Sequence, residues 1–174
     1  MARQLWLLRH AEAEPHGTRQ DAQRRLTDRG AAQARAAGRA IGRIGMTFEA
    51  VLFSPKVRAR QTAELASESW TADQQELLTL HAPLAGGFDG SQAIEAMAAV
   101  SAHGRLLAVG HEPDLSQVIA ELTGARADLK KGGLAVVRLE GAGGELAILM
   151  RPRELALIAD PTIVLAGGAP AGGE

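Results

Sequence analysis

The chain has 174 residues, 46% of them hydrophobic and 22% charged, a balance that suits one folded domain and excludes a disordered or fibrous chain. Its net charge of −1 provides no global basic field to gather nucleic acid or anionic lipid, so any anion site is local. Cysteine is absent, which removes disulfides, thiolate nucleophiles and sulfur-ligated metal together.

The first predicted strand is QLWLL at 4–8, whose apolar residues run on without alternating, as in strands covered on both faces. It surfaces directly into Arg9 and His10. Thr27 is placed to cap a helix over DRGAAQARAAGRAIGRI, and EAVLF at 49–53 forms the second strand. Ser54 and Pro55 then open a helix over KVRARQTAELASES. A weaker strand, ELLTL at 76–80, precedes a helix opened by Ser91 over QAIEAMAAVSA. The fourth strand is RLLAVG at 105–110, and Pro113 opens the helix DLSQVIAELTG. This alternation predicts an α/β sheet with helices on both faces. GGLAVVRLE at 132–140 and GELAILMR at 144–151, joined by GAGG, predict an antiparallel hairpin, which makes the sheet mixed but mostly parallel. Residues 1–160 are expected to form one domain. The remainder, 161–174, ends in small residues that bury little and is expected to be a partly disordered tail. No apolar run approaches the roughly 20 residues of a membrane span, and the N-terminus lacks a signal-peptide pattern, so the expectation is a soluble cytoplasmic protein.

Ligands of open α/β sheets collect beyond the carboxyl ends of the strands. Arg9 and His10 follow the first strand, SPKVRARQT with Arg58 follows the second, and His111 follows the fourth. Each alone has an ordinary explanation, since a single histidine at a strand end is usually structural and a single arginine is usually a solvated charge. Together they suit a phosphoryl group. Two guanidinium forks can meet its oxygens, and the helix after Ser54 and Pro55 adds amide donors. The neighbouring cations also disfavour protonation of His10, keeping a lone pair for attack. His111 can donate to a phosphoryl oxygen as charge develops. No GxxxxGK[ST] loop is present, and the spacings in HAEAEPH and HEPD suit no zinc site, so neither metal nor cofactor is expected.

In this order and spacing, LLRHAE, RRLTDRGAAQA, VLFSPKVRARQTAE and LLAVGHEPDLSQVIAELTG resemble the histidine phosphatase superfamily, and most closely its SixA-type phosphohistidine phosphatases. The resemblance implies the phosphoglycerate mutase-like fold, a three-layer α/β/α sandwich. It implies that His10 is the nucleophile that becomes phosphorylated, that Arg9, Arg58 and His111 form the phosphate pocket, and that Arg24 is a further substrate-binding arginine. Ala11 stands where many members carry glycine, and SixA-type members often accept alanine there. Other branches supply a leaving-group acid from a mid-chain insertion, which this chain is too compact to hold. Asp89, Glu12 and Glu14 are the available carboxylates. A departing imidazole needs less acid assistance than an alkoxide, so the expected function is a phosphohistidine phosphatase acting on a histidine phosphotransfer domain of a phosphorelay. A broad phosphomonoesterase or mutase-like enzyme and a non-catalytic phospho-ligand binding module are the alternatives.

Overall fold

In the computed structural model, residues 2–141 and 143–162 are described. The tail expected from residue 161 thus lies outside the described residues, apart from Pro161 and Thr162. Six strands form one sheet: β1 (Arg3–Arg9), β2 (Ala50–Phe53), β3 (Leu78–Leu80), β4 (Arg105–Gly110), β5 (Leu134–Glu140) and β6 (Gly143–Met150). Their spatial order is β3-β2-β4-β1-β5-β6. The first four strands are mutually parallel, and β5 and β6 make antiparallel pairs at one side. The sheet is mixed, as the Gly-rich hairpin connection predicts.

Because β1, β4 and β5 carry apolar residues on both faces, each face needs a covering layer. Trp6 and Leu8 of β1 point one way, toward α1 (Asp28–Arg43), α2 (Val57–Ser67) and α6 (Pro152–Ala159). Leu5 and Leu7 point the other way, toward α4 (Gly90–Met97) and α5 (Asp114–Thr123). The result is the expected three-layer α/β/α sandwich. Each fully buried leucine contributes about 1.5–3 kcal/mol of apolar burial. Helices α1 and α2 pack closely because Gly38 lacks a side chain: a Cβ there would lie 1.8 Å from the Ala66 carbonyl oxygen.

Thr27 caps α1 as predicted, its Oγ1 accepting from Gly30 N–H at 3.0 Å. The next helix differs from expectation. It begins at Val57 with Lys56 at the N-cap position and no side-chain cap, because the Ser54 hydroxyl faces the Lys56 N–H and the His111 ring instead. Ser91 does not open α4. Asp89 does, two residues earlier, in a reciprocal box with Gln92: its Oδ1 accepts from Gln92 N–H at 2.9 Å, and Gln92 Oε1 accepts from Asp89 N–H at 3.3 Å. The same helix stops at Met97 rather than Ala102, where the Glu49 carboxylate takes both the N–H and hydroxyl of Ser101 at 2.7 Å and draws the chain toward β4.

Strand β3 is a three-residue edge strand with Leu80 55% exposed, not a strand covered on both faces. Two helices were not anticipated: the single turn α3 (Ala72–Gln75) and α6. The latter starts with Pro152 in its first turn and Glu154 accepting from Arg151 N–H, and it buries Leu155 and Ala159 at four-residue spacing.

Strand register positions the functional rim. Leu8 lies opposite Val109 and Arg9 opposite Gly110, while Phe53 of β2 lies opposite the same Val109. Three neighbouring parallel strands therefore end level.

Candidate active site

Past those level ends, His10 N–H donates to Gly110 O at 2.9 Å and Ser54 N–H to Val109 O at 3.0 Å. His10 and His111 consequently face each other, with ring centroids 5.1 Å apart. Both rings line a cavity of about 420 Å³ together with Arg9, Arg24 and Arg58. All five residues expected at the site are thus brought to one place. His16, Asp21, Lys56, Glu112 and Lys131 complete the wall. A larger groove of about 640 Å³ between α4 and α5 is lined by Gly90, Ser91, Ile94, Glu95, Glu121 and Leu122. It contains no imidazole or guanidinium, so the chemistry belongs to the smaller cavity.

The hydrogen bonds of His10 set its tautomer. Nδ1 lies 2.8 Å from the Ala11 carbonyl oxygen, which can only accept, so Nδ1 carries the proton. Nε2 is left with its lone pair, and Arg58 Nε–H donates to it at 3.3 Å. His10 is only 6% exposed, and burial pushes its pKa down from 6.5 to about 3, with Arg58, Arg9 and Lys131 adding to the shift. The arginines do disfavour the imidazolium, but burial is the larger cause. His10 is therefore a neutral base at neutral pH.

His111 is likewise brought down to about 3, by burial first and then by His10, Arg58 and Lys56. Its Nε2 lies 2.7 Å from Ser54 Oγ. That hydroxyl oxygen accepts from Lys56 N–H at 3.2 Å and keeps its own proton, which it can donate to His111 Nε2; in that arrangement the single ring proton of His111 sits on Nδ1. This Nδ1 is buried with no protein partner, and His111 lines the cavity.

Arg58 is 4% exposed and is oriented by Asp21. Its Nη1–H donates to the Asp21 main-chain oxygen at 2.7 Å and its Nη2–H to the carboxylate at 3.2 Å. The same carboxylate accepts from Arg24 Nη2–H at 2.8 Å and meets Lys56 Nζ at 3.1 Å. Arg24 is itself buried, and its Nη1–H donates to Glu14 O at 2.7 Å, whereas the adjacent Arg25 points outward. Arg9 Nη1–H donates to Leu129 O at 2.9 Å, while its buried Nε has no partner.

None of the three carboxylates considered as acids lines the cavity. Asp89 caps α4. Glu12 accepts from Thr27 Oγ1–H at 2.9 Å, and Glu14 holds Arg19 and the Arg25 N–H. The cavity carboxylates are instead Asp21 and Glu112, neither of which the sequence pattern singles out. Asp21 has a weak sequence signal, a lone acid among the basic residues of RQDAQRR; Ser54 has a better one, a hydroxyl at a strand exit. Among the described residues no group of three or more histidine or acidic side chains could hold a metal ion, and no helix is long and apolar enough to cross a membrane.

The model of the histidine phosphatase superfamily (branch 1) matches residues 5–99, and the chain belongs to that superfamily; it is a phosphatase, a hydrolase. Its fold is similar to that of the protein histidine phosphatase SixA solved with tungstate, at 23% identity and a TM-score of 0.76, covering 87% of this chain and 99% of that one. A provisionally named phosphohistidine phosphatase SixA from Nakamurella multipartitia is 28% identical with a TM-score of 0.72, covering 87% and 97% of the two chains. An alpha-ribazole phosphatase from Shigella flexneri is 20% identical with a TM-score of 0.63, covering 86% and 96%.

Proposed function

We propose that this phosphatase hydrolyses phosphohistidine on a protein, with His10 Nε2 as nucleophile and a phosphohistidyl enzyme as intermediate. The observation that carries this reading is the buried, neutral His10, whose Nε2 lone pair accepts only a long contact from Arg58 Nε–H, at 3.3 Å, on the wall of a cavity lined by guanidinium and imidazole groups. The lone pair attacks phosphorus in line as the bond to the leaving group breaks. Arg58, the unpartnered Arg9 Nε–H and the unpartnered His111 Nδ1–H meet the equatorial oxygens, and Arg24 lies beside them. Water then attacks the same phosphorus from the leaving-group side, the P–N bond returns its electron pair to His10, and phosphate departs. The tungstate bound by the similar SixA structure is a tetrahedral oxyanion like phosphate, which suits such a donor set.

Two features favour a phosphohistidine substrate. Only residues 81–89 separate β3 from α4, leaving no room for a large acid-bearing insertion, and imidazole leaves phosphorus with less acid assistance than an alkoxide. The partner in this reading is a histidine phosphotransfer domain in a cytoplasmic phosphorelay. The test is a rate comparison between a phosphohistidine protein and p-nitrophenyl phosphate, run with wild type and His10→Ala. The expected result is faster turnover of the phosphoprotein, an acid-labile phosphoryl group trapped on wild type, and loss of at least about 10⁴-fold in His10→Ala. Wild-type rates in His10→Ala would remove His10 as nucleophile. Binding of the phosphoprotein with neither turnover nor adduct would identify a binding module instead.

A further inference from the structure

The two carboxylates of the cavity have opposite surroundings. Asp21 accepts from Arg24, Lys56 and Arg58, and these contacts, Arg24 first, hold it well below the usual carboxylate range. An ionised carboxylate has no proton to give. Glu112 stands on the wall shared with Arg9, directly after His111 and two residues before α5. Its Oε1 is shut off from solvent and has no hydrogen-bond partner. Burial pushes its carboxyl up toward the protonated form, and Asp114 on α5 adds to the shift. Ser116 on α5 and Arg9 on β1 oppose it without cancelling it. Arg9 is in part committed elsewhere, through Leu129 O. When the environments of two titratable groups in one site are driven apart in this way, the one pushed up is the candidate acid.

We propose that Glu112, which lines the same cavity as His10 and has one carboxyl oxygen buried without a partner, is the proton donor of this site, and that alkyl phosphomonoesters are therefore substrates alongside phosphohistidine. This inference rests on the reading of His10 as nucleophile. In the first step the His10 Nε2 lone pair forms the N–P bond, the P–O bond breaks, and the departing oxygen keeps that electron pair and takes the Glu112 proton. An alcohol leaves, and Glu112 becomes a carboxylate. In the second step that carboxylate takes a proton from water as the water oxygen bonds to phosphorus. The P–N pair returns to His10, phosphate is released, and both groups are restored.

The experiment measures leaving-group release in the first turnover, by rapid quench, from glycerol phosphate and from p-nitrophenyl phosphate. Glu112→Gln keeps the side chain's size and polarity but has no proton of suitable acidity. The ratio of glycerol to p-nitrophenol release is expected to fall about 10²-fold or more, because the nitrophenolate leaves without a proton. An unchanged ratio would overturn the proposal. If Glu112→Gln releases neither product, the wild-type ratio is followed against pH. It should decline as pH rises through the ionisation of Glu112, whereas titrations of His10 and His111 act on both substrates and cancel; a flat ratio would overturn the proposal. Phosphoryl trapping separates the two levels of inference. A labelled His10 with unchanged leaving-group dependence removes Glu112 alone, whereas a wild-type protein that turns over without a labelled His10 removes the nucleophile and the proposal with it.

Discussion

On one wall of the cavity, Asp21 ties Arg24, Lys56 and Arg58 into a closed ion network; on the other, Arg9 Nε, His111 Nδ1 and Glu112 Oε1 are buried without protein partners. The contrast separates two tasks that both use charged and polar side chains. The paired wall satisfies itself and so fixes the direction of Arg58, whose Nε–H meets the His10 lone pair. The unpaired wall costs roughly 1–3 kcal/mol for each unmet group, and an oxyanion that accepts from its two N–H groups removes part of that cost. Preorganised donors of this kind act most strongly where charge develops in the transition state.

The contrast can be broken from either side. Arg9→Ala removes a donor from the unpaired wall and should lower kcat about 10²- to 10³-fold, measured on p-nitrophenyl phosphate. Asp21→Asn loosens the paired wall while every phosphate-facing donor remains, so the loss in kcat/KM should be smaller, roughly tenfold to 10²-fold, from misorientation alone. A larger effect in Asp21→Asn than in Arg9→Ala would invert the assignment of the two walls.

Acid stability sharpens the picture. Unfolded histidines take up protons near 6.5, but His10 and His111 in the fold do so only at about 3. Their contribution is thus complete above 6.5 and is lost as pH falls from there toward 3, because in that window the unfolded state binds more protons. Tm should decline over this range by a smaller amount in His10→Asn than in wild type. The least effect is expected from Asp89→Ala, which lies on neither wall. It should cost about 1 kcal/mol of stability in denaturant unfolding through the lost α4 cap and leave turnover unchanged.

Much of this was legible in the sequence. Unbroken apolar runs placed β1 and β4, and the Gly-rich connection placed the β5–β6 hairpin. The identities of the residues leaving β1, β2 and β4 placed Arg9, His10, Arg58 and His111 at a common rim. What escaped was decided by contacts distant along the chain. Ser54 looked like a helix cap because nothing local shows His111 arriving beside it, 57 residues later. Asp21 drew no notice because its arginine and lysine partners converge only in the fold. Glu112 was one more acid in EPDL until burial removed its solvent. Asp89 was considered for its charge alone, and its spacing to Gln92, the ordinary sign of a capping box, was passed over for Ser91.

The level ends of β1 and β4 make the length of these strands a tighter constraint on the site than the identity of the apolar residues within them. Replacing Leu8 or Val109 by another apolar residue changes packing in increments, since both sit in the same buried layer. Deleting one residue between Arg105 and Gly110 is a different kind of event. It would draw His111 back by about 3.3 Å and turn the following side chain to the opposite side of the sheet. The ladder that sets Arg9 against Gly110 thus works as a ruler, and variants of this enzyme can drift in composition along both strands while their lengths stay locked together.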